Sequence, residues 1–162
     1  MKKVTLGTNV KEYKTGTTYE TIIKENYPEN SEQIILVVAN GKLEELSKKV
    51  KNDCELTPIF FSDNPGYNSY RRSTTFLMLK AIYDLYSHEE IGKVRVEFSA
   101  GAGYFCTLEG RLKPDLEFAK KVEARMKEYV AQEIPIKKEV VNTREAIARF
   151  AEYGMHDKAA LF

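Results

Sequence analysis

The chain has 162 residues, with 25 Lys and Arg against 24 Asp and Glu. So close a balance leaves no global field to drive it onto nucleic acid or a membrane surface, and any such contact needs a local patch. The length suits one ordinary domain or two small ones, with enough buried surface for stable cores without metal or disulfide.

The N-terminus, Met1-Lys2-Lys3-Val4-Thr5-Leu6, moves directly into strand-like alternation. It has no apolar signal region, and no stretch approaches the roughly 18 apolar residues of a membrane span. Cys54 and Cys106 are far apart and form no CxxC. Two such thiols are expected to be reduced packing residues in a cytoplasmic protein with no membrane partner.

Val4–Leu6 and Val10–Tyr13 predict an N-terminal hairpin around Gly7-Thr8-Asn9. Thr17 or Thr18 can cap a helix through Tyr19, Ile22 and Ile23 that ends before Pro28. Ile34–Val38 is a β-branched run suited to a buried strand, and Asn40-Gly41 is the strongest two-residue hairpin signal in the chain. Leu43 and Leu46 continue on the far side, and Glu55–Phe61 supplies a last strand with Pro58 at an edge or strand end. Two strands, a helix and three more strands in this order predict a β-grasp, ubiquitin-like domain over residues 1–61. Lys48, Lys49 and Lys51 form a local basic cluster that could meet phosphate, though Glu44 and Glu45 dilute it and a solvated turn is the plainer reading.

Ser62-Asp63-Asn64-Pro65-Gly66-Tyr67-Asn68 reads as a turn cluster and a linker over 62–68. Asn68 or Ser69 can then cap a helix whose apolar face is Thr74, Leu77, Met78, Ala81, Ile82 and Leu85. Arg71 and Arg72 fall at the expected N-terminus of that helix, where free N–H groups favour an anion, and are candidates for nucleotide or RNA contact alongside Lys48 and Lys49. Lys93–Phe98 and Tyr104–Leu108 predict two paired strands around Gly101-Ala102-Gly103. Pro114 suits the first turn of a helix with apolar positions Phe118, Val122, Met126, Tyr129 and Val130. Ile134-Pro135-Ile136 ends it, Lys137–Val141 reads as a strand, and Asn142 caps a last helix stopped by Gly154. Residues 69–162 thus predict an α+β domain.

Catalytic groups are scarce. His88 and His156 sit in polar, turn-like segments with no second ligand at metal spacing, and Glu89-Glu90 reads as a solvated loop. Cys106 in an apolar strand lacks the base a nucleophile needs. No catalytic residue and no metal site is expected.

Val4-Thr5-Leu6 with its turn, Val38-Ala39-Asn40-Gly41-Lys42-Leu43 and Asp53-Cys54-Glu55-Leu56 resemble the TGS domain of threonyl-tRNA synthetases, a β-grasp module regarded as binding ligand or RNA. The second half, with its Gly-Tyr-Phe strand, Glu133-Ile134-Pro135-Ile136 and Arg144-Glu145-Ala146, resembles the editing domain of the same family. That domain carries a His-x-x-x-His pair where this chain has Arg72 and Phe76. Arginine stays protonated and phenylalanine has no lone pair, so neither can ligate a metal or act as a base.

The replaced pair, with Tyr70-Arg71-Arg72-Ser73 and Lys80-Ala81-Ile82-Tyr83-Asp84-Leu85, is similar to the N-terminal region of bacterial uridine kinase-like proteins. This resemblance implies a noncatalytic regulatory or ligand-binding region. Its kinase domain would lie in cis beyond Phe162 and phosphorylate a nucleoside with ATP and Mg²⁺. It also implies that the editing-like domain is incomplete at its C-terminus. No G-x-x-x-x-G-K-S/T occurs in the chain itself. The alternatives are a divergent editing domain that hydrolyses mischarged tRNA, or a standalone RNA- or nucleotide-binding module.

Overall fold

A computed structural model describes residues 1–101 and 103–162, with the backbone alone at Asp157. The fold is α+β, and contacts divide the chain into two compact units, Met1–Phe76 and Leu77–Phe162.

In the first unit β1 (Lys2–Leu6) pairs antiparallel with β2 (Asn9–Tyr13). Next come α1 (Tyr19–Asn26), β3 (Ile34–Ala39), β4 (Lys42–Glu45) and β5 (Cys54–Phe60). The sheet order is β2-β1-β5-β3-β4, with β1 and β5 parallel. Thr18 caps α1 by accepting the Thr21 N–H. The helix buries Tyr19, Ile22 and Ile23 against Val4, Val37 and Leu56 of the strands. Each fully buried aliphatic side chain there contributes about 1.5–3 kcal/mol.

Asn40 and Gly41 both take positive φ, 49° and 78°, as a tight two-residue hairpin turn demands. Strand β5 lies in the middle of the sheet and still accommodates Pro58. Its pairing with β1 involves Cys54 and Glu55, so at Pro58 the strand has β3 on one side alone.

Helix α2 runs from Asn64 to Leu85, so it begins well before the expected cap at Asn68 or Ser69. Pro65 falls in its first turn, where a missing N–H leaves no bond unmade. The Tyr67 N–H donates to the Asp63 carbonyl at 2.8 Å, closing that turn.

In the second unit, α3 (His88–Ile91) and α4 (Leu116–Ala131) accompany a two-stranded sheet of β6 (Val94–Ala100) and β7 (Gly103–Leu108). Ala102, in the expected turn between them, lies outside the described residues. Ala81, Ile82, Ile91, Val94, Val122 and Tyr129 form the core. Asp115 caps α4 by accepting the Phe118 N–H, which puts Pro114 one position outside the helix.

Asn142 caps α5 (Thr143–Glu152) as expected, and α6 (His156–Ala159) follows. The strand expected over Lys137–Val141 does not form: the segment joins no sheet, Glu139 instead accepts from Arg149 at 2.9 Å, and Val140 is 95% exposed. Among the described residues no helix is long and apolar enough to cross a membrane.

Candidate functional site

Two clefts in the first unit collect the residues that the sequence singles out. One, of about 490 Å³, lies between strands β3 and β4 and the first turns of α2. Leu36, Leu43 and Pro65 give it apolar walls, and Glu44, Glu45 and Arg72 its charges. Because α2 starts at Asn64, Arg71 and Arg72 sit two turns inside the helix rather than at its N-terminus. The free N–H groups expected to help them hold an anion are therefore not beside them.

The Arg71 guanidinium lies 5.6 Å from the centre of the Tyr67 ring, one turn back. Phe76 is 58% exposed and stands one turn beyond Arg72 on the same helix face. Between them Ser73, Thr74 and Thr75 donate their hydroxyls to the carbonyls of Ser69, Tyr70 and Arg71 at 2.9–3.1 Å. Those three hydroxyls are spent on the backbone of the preceding turn.

The second cleft, of about 450 Å³, opens where the β3–β4 hairpin meets the segment leading into β5. Lys42, Lys48, Lys49 and Lys51 line it together with Glu44 and Asp53. The sequence had placed Lys48 and Lys49 in a basic run. What it could not show is Lys42, which the hairpin folds across to join them. Lys48 pairs with Glu44, and Lys42 lies 3.6 Å from the same carboxylate. The Lys48 hydrogen bond holds the Glu44 carboxyl below its usual range and pushes the Lys48 ammonium up. Burial raises the Tyr19 hydroxyl and the Cys54 thiol beside them, with the Asp53 charge adding to the second.

His88 and His156, read as turn residues, instead open the short helices α3 and α6. Ser87 and Glu90 close a capping box around α3, so Glu90 is held by the Ser87 backbone and hydroxyl. These bonds keep its carboxyl below the usual range. Cys106 is half-buried, its thiol pushed up by burial and then by the Glu97 charge. Among the described residues no three His, Cys, Asp or Glu side chains stand together as a metal site would require.

No protein-family model matches the chain. It is similar to the threonine–tRNA ligase of Bacillus velezensis, 32% identical over 94% of this chain and 23% of the ligase. It is similar also to that of Symbiobacterium thermophilum, at 29% over 94% of this chain and 23% of the ligase. A third, from Natranaerobius thermophilus, is 29% identical over 95% of this chain and 24% of the ligase. The chain thus spans about a quarter of the length of the curated relatives it matches.

These matches run through both units and overturn the uridine kinase reading. The Arg72 and Phe76 replacements and the Tyr70–Ser73 string were the grounds for it. Those few positions weigh less than similarity to ligases along nearly the whole chain.

Proposed function

We propose that this chain is the tRNA-engaging, editing-type part of a threonyl-tRNA-synthetase-type protein. The observation that carries the reading is similarity to threonine–tRNA ligases over 94% of the chain, through both the β-grasp unit and the helix-rich unit. The proposal keeps the division into a TGS-like domain over 1–61 and an editing-like domain over 69–162.

Recognition of tRNA is the central claim. Arg72 in its cleft and the lysines of the other cleft offer cations for the RNA backbone, which dominates affinity in such complexes. The nearly neutral chain makes a local patch the only electrostatic route. Hydrolysis of a mischarged ester is the reaction class of the domain it resembles. Residues 72 and 76 cannot supply the base for it, so an attacking water would have to be activated by the substrate's own hydroxyl or by another residue.

The test is to incubate the chain with threonine-specific tRNA, uncharged and mischarged with serine. Saturable, salt-dependent retention of tRNA on a filter is the expected result. A deacylation rate above buffer that falls with Arg72→Ala would add chemistry to recognition. Retention no stronger than that of an unrelated neutral protein removes the reading.

A further inference from the structure

We propose that the lysine cleft of the first unit is a binding site for a phosphate monoester of nucleotide size, with Lys49 and Lys51 as its principal cations. The inference names a monoester ligand for the same lysines that the tRNA reading offers to RNA, and it stands on the cleft's geometry even if that reading fails.

The charge arrangement comes first. Four lysines and two carboxylates line the cleft, a surplus of two positive charges. One carboxylate is paired with lysines, and the other is held by a neutral backbone amide and keeps its charge. Glu44 is paired with Lys48 and faces Lys42 at 3.6 Å, while Asp53 Oδ1 accepts the Lys3 backbone N–H at 3.0 Å. Among the described residues Lys49 and Lys51 make no ion pair with any acid. The surplus is therefore carried by two particular side chains. A phosphate monoester has a charge of about −1.5 to −2 near neutral pH, which matches it, whereas a carboxylate or a single phosphodiester leaves one cation over.

Rigidity is the second argument. The segment carrying these lysines is tied to the start of α1 by backbone hydrogen bonds. Tyr19 N–H donates to the Lys48 carbonyl at 2.9 Å, Val50 N–H to Thr17 at 2.9 Å and Gly16 N–H to Val50 at 2.9 Å. On the opposite wall, Asn40 accepts the Glu55 N–H at 2.8 Å and donates to the Asp53 carbonyl at 3.2 Å. Both walls are held before any ligand arrives, which lowers the ordering entropy that binding must overcome.

Size is the third. About 450 Å³ falls within the range of small-molecule sites and exceeds what a bare phosphate ion fills. The Tyr19, Ala39 and Cys54 side of the cleft offers a less polar surface for the organic part of the ligand.

Two sources of such a group exist, a free mononucleotide and a 5′-phosphorylated RNA end. Backbone amide shifts of the full chain, followed by NMR, separate them with four probes: AMP, adenosine, and one oligoribonucleotide with and without its 5′-phosphate. The expected result is saturable movement of the Asn40, Lys49, Lys51 and Asn52 amides with a phosphorylated probe and none with its unphosphorylated counterpart. Response to AMP identifies a nucleotide site, and response to the phosphorylated RNA without AMP identifies an RNA end. Lys49→Ala combined with Lys51→Ala should weaken binding at least about ten-fold, the effect of losing even one modest charge contact. Lys113→Ala combined with Lys120→Ala, outside the cleft, should leave it unchanged. Equal response to adenosine and AMP, no response to any probe, or equal loss in both double variants overturns the proposal.

Discussion

The Tyr129 hydroxyl donates to the Asp84 carboxylate, joining α4 to the end of α2 across 45 residues of chain. Arg125 reinforces the pair, its Nε donating to the Tyr129 oxygen at 3.0 Å while its guanidinium lies 4.7 Å from the ring centre. Lys80 pairs with the same Oδ2 of Asp84. Tyr129 is buried and Asp84 is not, so the bond fastens a core side chain to a surface carboxylate. Tyr129→Phe keeps the ring and removes the bond. It should lower stability in urea by about 1.5–3 kcal/mol, the range for a hydrogen bond to a charged group. Asp84→Asn on top of it should add less than it does alone, and full additivity in that cycle would remove the coupling.

Gly92 and Gly110 face each other in the same unit. Gly92 has φ +59°, and a Cβ there would stand 2.7 Å from the Gly110 nitrogen. A Cβ on Gly110 would meet the Glu90 carbonyl and stand 2.6 Å from the Gly92 nitrogen. The obstruction is backbone on both sides, so no side chain can swing away. Gly110→Ala should therefore destabilise by about 2–3 kcal/mol, the upper part of the range for overpacking. Hydrogen exchange should locate the damage, with protection lost first at the Gly110 and Leu112 amides, which donate to Ile91 and Glu90 at 2.9 Å. Unchanged protection there would show that the contact relaxes freely.

The Glu44–Lys48 pair fixes a sign for the pH dependence of the first unit. Glu44 is held below its ordinary pKa of about 4.3, mainly by the Lys48 hydrogen bond, so its contribution is complete above that value. The contribution is lost as pH falls through the lower folded value. Lys48 is raised by the same bond, so its share is present below its ordinary pKa and lost as pH rises through the folded one. Wild type should therefore unfold at higher temperature than Glu44→Gln near pH 7, by a small margin for an exposed pair. That margin should shrink as pH drops below about 4. A margin that widens in acid would contradict the assignment.

Local signals were legible where the chain itself closes them. Asn40-Gly41 turns the hairpin with both residues at positive φ, and Thr18 and Asn142 cap their helices through their own side chains. The start of α2 was hidden because Pro65 and Gly66 act as breakers in mid-helix, yet both suit a first turn. Gly66 is needed there because a Cβ would strike the Phe60 carbonyl, 2.8 Å from its carbon, a contact that exists once β5 and α2 have met. Lys137–Val141 shows the opposite failure, since a strand-like segment with no neighbouring strand has no ladder to join. The sites followed the same rule. Lys48, Lys49 and Lys51 are adjacent in sequence, whereas Lys42 and Cys54 join them through the hairpin and strand pairing.

Cys54 and Cys106 provide a paired test within one chain. Both thiols are pushed above their ordinary pKa, chiefly by burial, with Asp53 adding to the first and Glu97 to the second. The thiolate is the reactive form, so at pH 8 each should react with iodoacetamide more slowly than free cysteine. The midpoint of each rate–pH profile should lie above that of the free thiol. Cys54 lines the lysine cleft and Cys106 does not. A phosphorylated ligand in the cleft adds negative charge near Cys54 and covers it, and both effects slow alkylation at that residue alone. Mass spectrometry of singly labelled peptides reads the two sites separately, with Cys106 correcting for any change in the reagent. Equal slowing at both thiols would place the ligand outside the cleft.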